Sequence, residues 1–277
     1  MKTLYWNLRD LANQPTRLAL KNLIQNNKHD IILIAEPWMR FEDLPRNWFL
    51  RQNYKLFAMN VRENNILNLC CLCLTHLNPN IIQIDDQHVS FSIFDNGKEL
   101  AMATIYASTC YLKRRQLWNT LGNLLSQFNL PWNMIGDFNT ILGAYEHQGN
   151  CSPSRTPMQD FQAWTYTYDL LHLPTKGALF TWKNGRKGRR FTQRRLDRSI
   201  CNQDWLDACS TTSCSTLIRL TSDHYPLLLE FKTTKVLFPH PSSSYRCGQC
   251  MRNARISFLI VGKPEWWDVQ CIFLQRS

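Results

Sequence analysis

The chain has 277 residues, enough for one large domain or for a domain with an appendage. Hydrophobic residues make up 44% and charged residues 19%, which supplies a buried core and excludes a largely disordered chain. The 32 Lys and Arg against 21 Asp and Glu give a formal charge of +11, which suits either a polyanionic partner such as nucleic acid or a merely basic enzyme surface. No apolar stretch reaches the roughly 20 residues of a bilayer span. Met1-Lys2-Thr3-Leu4-Tyr5-Trp6-Asn7 lacks the apolar region of a signal peptide, so an intracellular protein with no membrane segment is expected. The 11 cysteines then read as reduced thiols, with those in Leu69-Cys70-Cys71-Leu72-Cys73-Leu74 serving as small core hydrophobes.

In chain order, Pro15 to Asn26 carries Leu20, Leu23 and Ile24 at helical spacing, and Ile31 to Ala35 is a short apolar run read as a buried strand ending at Glu36. Val89, Phe91 and Ile93 alternate as in an antiparallel strand. Asp95-Asn96-Gly97 supplies a type I′ hairpin turn, and Leu100 to Ala107 is the return strand containing Tyr106. A second amphipathic helix is predicted from Lys113 to Phe128. Trp132 to Asn139 is another strand ending in an acid, and a helix from about Met158 to Leu171 follows. Phe180-Thr181-Trp182 leads to a second Asn-Gly turn at Asn184-Gly185, a strand running into Leu196-Asp197-Arg198, and a last strand from Leu227 to Phe231. Strands interleaved with helices, together with hairpins, indicate a mixed-sheet α/β or α+β sandwich.

Five short pieces place polar residues beside apolar strands: Trp6-Asn7, Glu36, Gly136-Asp137-Phe138-Asn139, Leu196-Asp197-Arg198 and Ser222-Asp223-His224. A lone strand-end acid is more often a turn former or cap, but the set suits phosphodiester hydrolysis. That reaction uses a divalent cation held by one or two carboxylates, a base near the attacking water, and donors for the transition state. An Asp paired with a His fixes the imidazole tautomer.

In this order the five pieces resemble the endonuclease/exonuclease/phosphatase superfamily, which includes exonuclease III, the apurinic endonucleases and DNase I. The finer text, in Tyr5 to Arg9, Ile105 to Ser108, Arg115 to Leu121, Gly136 to Leu142, Phe180 to Trp182 and Arg195 to Trp205, is similar to the endonuclease domain of plant non-LTR retrotransposon polyproteins. The resemblance covers residues 1–232 and implies an α/β fold: a four-layer sandwich, two mixed β-sheets packed face to face with helices outside. It implies a Mg²⁺- or Mn²⁺-dependent enzyme that nicks DNA to leave a 3′-hydroxyl and a 5′-phosphate, with no small-molecule cofactor. Glu36 would be the principal metal ligand, Asn7 would lie beside it, and Asp223 would complete the site. Asp137 would orient or deprotonate the attacking water, and Asn139 would hold the phosphate. His224, backed by Asp197, would contact the scissile phosphate, and Tyr106 would bond a phosphate oxygen or shape the site. A nuclear location follows from the substrate alone. The other readings are a phosphatase acting on a small ester and an inactive retroelement relic.

Asp10 departs from the branch, which has Gly there: it would strain a turn requiring positive φ, or perturb the nearby metal. Lys183, Arg186, Lys187, Arg189, Arg190, Arg194 and Arg195 straddle the second Asn-Gly turn, as either a phosphate-gripping ridge or a solvated loop. Lys113-Arg114-Arg115 opposes the dipole at a helix start, which points either to phosphate contact or to a displaced cap. Beyond residue 232 the pattern breaks, so residues 233–277 are expected to be a divergent, poorly ordered tail. Its Cys247-Gly248-Gln249-Cys250 lacks the four ligands of a zinc site.

Overall fold

A computed structural model describes residues 1–62 and 65–234. The expectations for the tail, Cys247 and Cys250 included, lie outside the described residues from 235 on. The first half runs β1 (Lys2–Asn7), α1 (Gln14–Asn27), β2 (Ile31–Ala35), α2 (Arg46–Arg51), β3 (Tyr54–Val61), β4 (Leu67–Leu74), β5 (Asn80–Ile84), β6 (His88–Asp95), β7 (Lys98–Tyr106) and α3 (Tyr111–Gln127). Then come β8 (Trp132–Asp137), β9 (His147–Gly149), α4 (Arg155–Thr167), β10 (Leu171–His172), β11 (Thr175–Lys176), β12 (Trp182–Lys183) and β13 (Thr192–Arg194). The last elements are β14 (Asp197–Cys201), α5 (Gln203–Ala208), β15 (Cys209–Thr216) and β16 (Leu227–Thr233).

Two mixed sheets form the body. One has the order β11-β15-β16-β1-β2-β4-β3, the other β10-β14-β8-β7-β6-β5. Strand alternation sorts the apolar side chains into three cores. Tyr5, Ile31, Leu33, Cys71, Phe91, Met102 and Ile135 fill the space between the sheets. Leu4, Trp6, Ile32, Ile34 and Cys70 point outward onto Leu20, Leu23 and Ile24 of α1. On the far side, Ala103, Ile105 and Met134 meet Leu117, Trp118 and Leu121 of α3 and Phe161 and Trp164 of α4. The architecture is therefore the expected four-layer sandwich, with the cysteines of β4 acting as apolar filling on both of its faces. No helix of the described residues is long and apolar enough to cross a membrane.

The first hairpin turns as its sequence demands, with φ of 51° at Asn96 and 79° at Gly97. The second does not. Lys183 and Thr192 are separated by a loop stapled by Asn184, whose side chain accepts the N–H groups of Arg186 (3.1 Å) and Thr192 (3.1 Å) and donates to Arg190 O (2.7 Å). An Asx-type side chain that can close a longer loop on itself competes with the two-residue turn, and here it wins. The helix expected to reach Leu171 stops at Thr167. Asp169 takes φ 48°, and Leu170 N–H returns to Thr165 O at 2.8 Å, a Schellman closure that frees Leu171 to join β10.

The basic start of α3 is also spent internally. Arg114 is buried and donates to Ser108 O (2.7 Å) and Thr109 O (2.9 Å), tying down the turn before the helix, while Arg115 forms a two-pronged pair with Asp160 of α4. Asp10 causes no strain: the positive φ falls one residue earlier, at Arg9 (63°), and the Asp10 carboxylate accepts Ala12 N–H (2.9 Å) and Asn13 N–H (3.3 Å) at the entrance to α1.

Candidate active site

The two sheets present their strand ends to each other at one edge of the sandwich. In the first sheet Asn7 of β1 is paired with Ala35 of β2, so Glu36 emerges next to Asn7. In the second, Asp137 is flanked by Tyr106 of β7 and Asp197 of β14, both in direct register with it. Gly136 permits this: a Cβ there would stand 2.0 Å from Ile105 O on the neighbouring strand. Polar contacts then cross the gap between the sheets. Asn7 Nδ2 donates to Asp137 Oδ2 (3.2 Å), and Tyr106 Oη donates to Glu36 Oε1. Asn139, in the left-handed region at φ 49°, folds back so that its N–H reaches Asp137 Oδ1 (2.9 Å) and its amide reaches Ala107 O (2.7 Å).

His224 arrives from the loop before β16. Ser222 Oγ donates to Asn7 O (2.6 Å) and accepts His224 N–H (3.0 Å), fixing that loop to β1. The imidazole Nδ1 lies 2.9 and 3.1 Å from the two Asp197 oxygens, and Nε2 lies 3.8 Å from Asp137 Oδ2. Both partners are fully or nearly fully buried. Burial opposes a charge on His224, but Asp197 and then Asp137 outweigh it and raise its pKa to about 9, so the ring is cationic at neutral pH. For Asp137, burial first and the charge of Asp197 second push the pKa well above the usual carboxylate range. Burial also raises the Tyr106 phenol, with Glu36 adding to the effect, so it remains a donor.

Glu36 and Asp223 line the opening. Glu36 is 6% exposed, and its backbone takes φ 51°. Asp223 accepts Trp182 Nε1–H (2.8 Å). Arg9 bridges the two, with Nε 3.3 Å from Glu36 Oε2 and Nη1 2.7 Å from Asp223 Oδ2, and Arg62 stands 3.8 Å from Glu36 Oε1. Next to Glu36, Asn7 Oδ1 is buried with no hydrogen-bond partner among the described residues, a costly state for an amide oxygen. Two carboxylates and an orphaned amide oxygen form the all-oxygen donor set that Mg²⁺ or Mn²⁺ prefers. Arg9 is half-exposed.

A second group could also hold an ion: the ligand atoms of Asp137, Asp197 and His224 lie within 4.8 Å of one another. There, however, the facing atoms of Asp197 and His224 are already spent on their mutual hydrogen bond, which favours an acid–base pair over a metal cage.

All eight site residues expected from the motifs thus lie in this one cluster. The basic ridge divides. Arg186, Lys187, Arg189 and Arg190 are exposed on the 184–191 loop. Arg194 is engaged with His147 Nδ1 (3.1 Å), and Arg195 with Thr175 Oγ1 (2.9 Å). The base of the ridge reaches the site itself, since Lys183 N–H donates to Asp223 O (3.2 Å).

Several participants had no sequence signal of their own. Tyr5 Oη accepts Asp137 N–H (2.9 Å) and donates to Ile105 O (3.1 Å), and Thr181 Oγ1 accepts Asp197 N–H (2.9 Å). Arg9 and Trp182 stand in the stretches that carry the family resemblance, yet nothing in the chain order pairs them with Asp223. Behind the site, Arg198 is locked to Glu146 by bonds of 2.7 and 3.2 Å.

Among curated proteins, no match was found. Solved structures match over most of the chain. The endonuclease domain of TRAS1, a telomere-specific non-LTR retrotransposon, superposes with a TM-score of 0.64 at 16% identity, covering 84% of this chain and 99% of that one. A 3′-5′ exonuclease from Neisseria meningitidis gives 0.66 at 15% identity, covering 84% and 100%. An AP endonuclease from Archaeoglobus fulgidus gives 0.65 at 14% identity, covering 83% and 99%. At such identities the likeness establishes the fold, and it fits the resemblance seen in the sequence. The family itself is established by its own pattern, which matches residues 4–224: the chain belongs to the endonuclease/exonuclease/phosphatase family.

Proposed function

We propose that the chain is a Mg²⁺- or Mn²⁺-dependent phosphodiesterase that nicks DNA, leaving a 3′-hydroxyl and a 5′-phosphate. The observation that carries this reading is the connected cluster at the sheet ends, in which a buried carboxylate, Asp137, lies between a cationic His224 and an amide, Asn7, beside Glu36.

Glu36, Asn7 and Asp223 would hold the metal, with Arg9 released from the two carboxylates. When bound, the metal supplies positive charge to a phosphate oxygen. Asp137, with its raised pKa, accepts a proton from the attacking water while the Asn139 amide and the Asn7 side chain keep its carboxylate in place. The water oxygen forms a bond to phosphorus, the P–O3′ bond breaks, and the departing 3′-oxygen takes up a proton from solvent water, while Asp137 returns its proton to solvent. His224, held charged and in a fixed orientation by Asp197, donates to a non-bridging oxygen as charge builds there. Tyr106 holds Glu36 by donating its one hydroxyl proton to that carboxylate. The exposed Arg186, Lys187, Arg189 and Arg190 would grip neighbouring phosphates without reading sequence.

The test is nicking of supercoiled plasmid with Mg²⁺ or Mn²⁺, with EDTA and Glu36→Ala as controls. Nicking that both controls abolish supports the reading. Phosphate release from small esters without nicking would replace it with a phosphatase, and a folded but inert protein would indicate a relic.

A further inference from the structure

A cavity of about 450 Å³ opens where the loop after β2 meets the start of α1, lined by Trp38, Arg17, Arg40 and Asp43 over a floor that includes Met39. It is continuous with the acid cluster through the backbone. Leu8 N–H bonds Ala35 O (3.1 Å), Leu11 N–H bonds Pro37 O (3.0 Å), and Leu67 N–H bonds Met39 O (2.9 Å). Trp38 is thus held two residues beyond Glu36, and Ala12, also on the cavity wall, three residues beyond Arg9.

Trp38 is unusual twice over. Its φ is 47°, an outlier for so bulky a side chain. The strain gains it no burial: it is 48% exposed, whereas the other tryptophans among the described residues are buried or half-buried. Strain kept in place by surrounding hydrogen bonds, presenting a flat aromatic face to solvent beside a reaction centre, is the signature of a ligand contact rather than of packing. The two arginines agree with this. Arg17 on α1 and Arg40 are exposed, and neither is engaged in an ion pair among the described residues. Against the single acid Asp43, they leave the cavity net positive.

We propose that this cavity is a subsite for one nucleotide of the cleaved strand, next to the scissile phosphate, with its base stacked on Trp38 and its phosphate between Arg17 and Arg40. A π-face takes any base, and guanidinium groups take any phosphate, so the subsite adds affinity and register without sequence preference. A volume of about 450 Å³ falls within the range of roughly 300–1,000 Å³ found for small-molecule pockets. This inference rests on the DNA reading above and specifies where the strand runs, past the loop that follows Glu36.

The experiment uses the full chain in EDTA and a short gapped duplex carrying 2-aminopurine in the gap, read by base fluorescence and by anisotropy. Wild-type protein is expected to quench the probe. Trp38→Leu is expected to abolish the quench and to weaken binding about tenfold with an unchanged salt slope, because stacking is not a charge contact. Trp38→Phe should retain the quench, which separates loss of stacking from loss of folding. Arg17→Gln, on the exposed face of α1, should keep the quench and lower the slope of log affinity against log salt by about 1. If Trp38→Leu matches wild type while Lys187→Gln with Arg189→Gln weakens binding, the subsite is refuted and the DNA reading stands. If wild type does not bind the probe, both fall.

Discussion

Glu146 and Arg198 form a buried ion pair directly behind the site, and its removal has a calculable cost. Glu146 is 1% exposed and Arg198 0%. Nη2 lies 2.7 Å from Oε2 and Nη1 3.2 Å from Oε1, and Glu146 Oε2 also accepts Leu142 N–H (2.7 Å). Among the described residues Arg198 has one other acceptor, Arg195 O at 2.8 Å, and its Nε has none. Burial drags its pKa below the arginine norm, with Glu146 opposing, so the guanidinium depends on that carboxylate. Glu146→Leu would leave it uncompensated, at about 3–5 kcal/mol. The orphaned Leu142 N–H adds about 1–3 kcal/mol. Against a total stability of about 5–15 kcal/mol, this brings the domain close to unfolding.

Urea unfolding followed by tryptophan fluorescence measures the loss as a fall in midpoint at constant slope. Adding Arg198→Met should return most of it, because an apolar pair carries no uncompensated charge. A loss under about 1 kcal/mol for Glu146→Leu, or a double variant no more stable than the single one, would refute the reasoning.

Glu36→Gln should weaken Mn²⁺ binding, measured by calorimetry or paramagnetic resonance, by at least the 10–100-fold typical of losing a mere supporting group around a metal; unchanged affinity would move the metal to Asp137, Asp197 and His224. Arg189→Gln with Arg190→Gln should reduce the salt slope of duplex binding by about 2, one per lost phosphate contact, and an unaltered slope would make that loop a solvated surface. His29 is 1% exposed, and burial lowers its pKa to about 4 from 6.5, so it is neutral when folded and takes up a proton on unfolding. Stability is therefore full above about pH 6.5 and is lost as pH falls through the window down to about 4. The share of His29 between pH 7 and 5 is about 2 kcal/mol. Urea midpoints of His29→Gln should lack that share, and parallel curves for the two proteins would contradict it.

Glu36 and Asp137 were legible because each ends a largely apolar run that reads as a buried strand, Ile31 to Ala35 and Trp132 to Gly136, whereas Asp197 and Asp223 follow polar sequence and were legible only through the order of the motifs. Their partners were not. Tyr5 looks like any core aromatic until β8 brings Asp137 N–H within 2.9 Å of its hydroxyl. Arg194 and Arg195 look like the rest of the ridge, and only the register of β13 with β9 turns Arg194 toward His147. The strand Cys209–Thr216 has almost no apolar alternation, yet it pairs with β16 along its length and draws its order from that neighbour. Local pattern reports what a residue buries; it does not report what lies opposite it after two hundred residues of chain have folded.

That distance also explains how the site tolerates its own geometry. Arg9, Glu36, Trp38 and Asn139 all have positive φ and all follow closely on the strands β1, β2 and β8 that end at the site, and three of them are neither Gly, Asn nor Asp. Each such residue costs on the order of 1–3 kcal/mol. In a small domain four of them would be ruinous. Here each follows a strand that has a paired neighbour on both sides and whose apolar side chains belong to the cores. The strained residues sit just beyond the ends of β1, β2 and β8, outside the paired strands themselves. Relaxing the strain would therefore stabilise the fold while loosening the site. Trp38→Asn, whose side chain accepts the left-handed conformation, should raise the urea midpoint while removing the aromatic face, separating what the backbone needs there from what a bound strand needs.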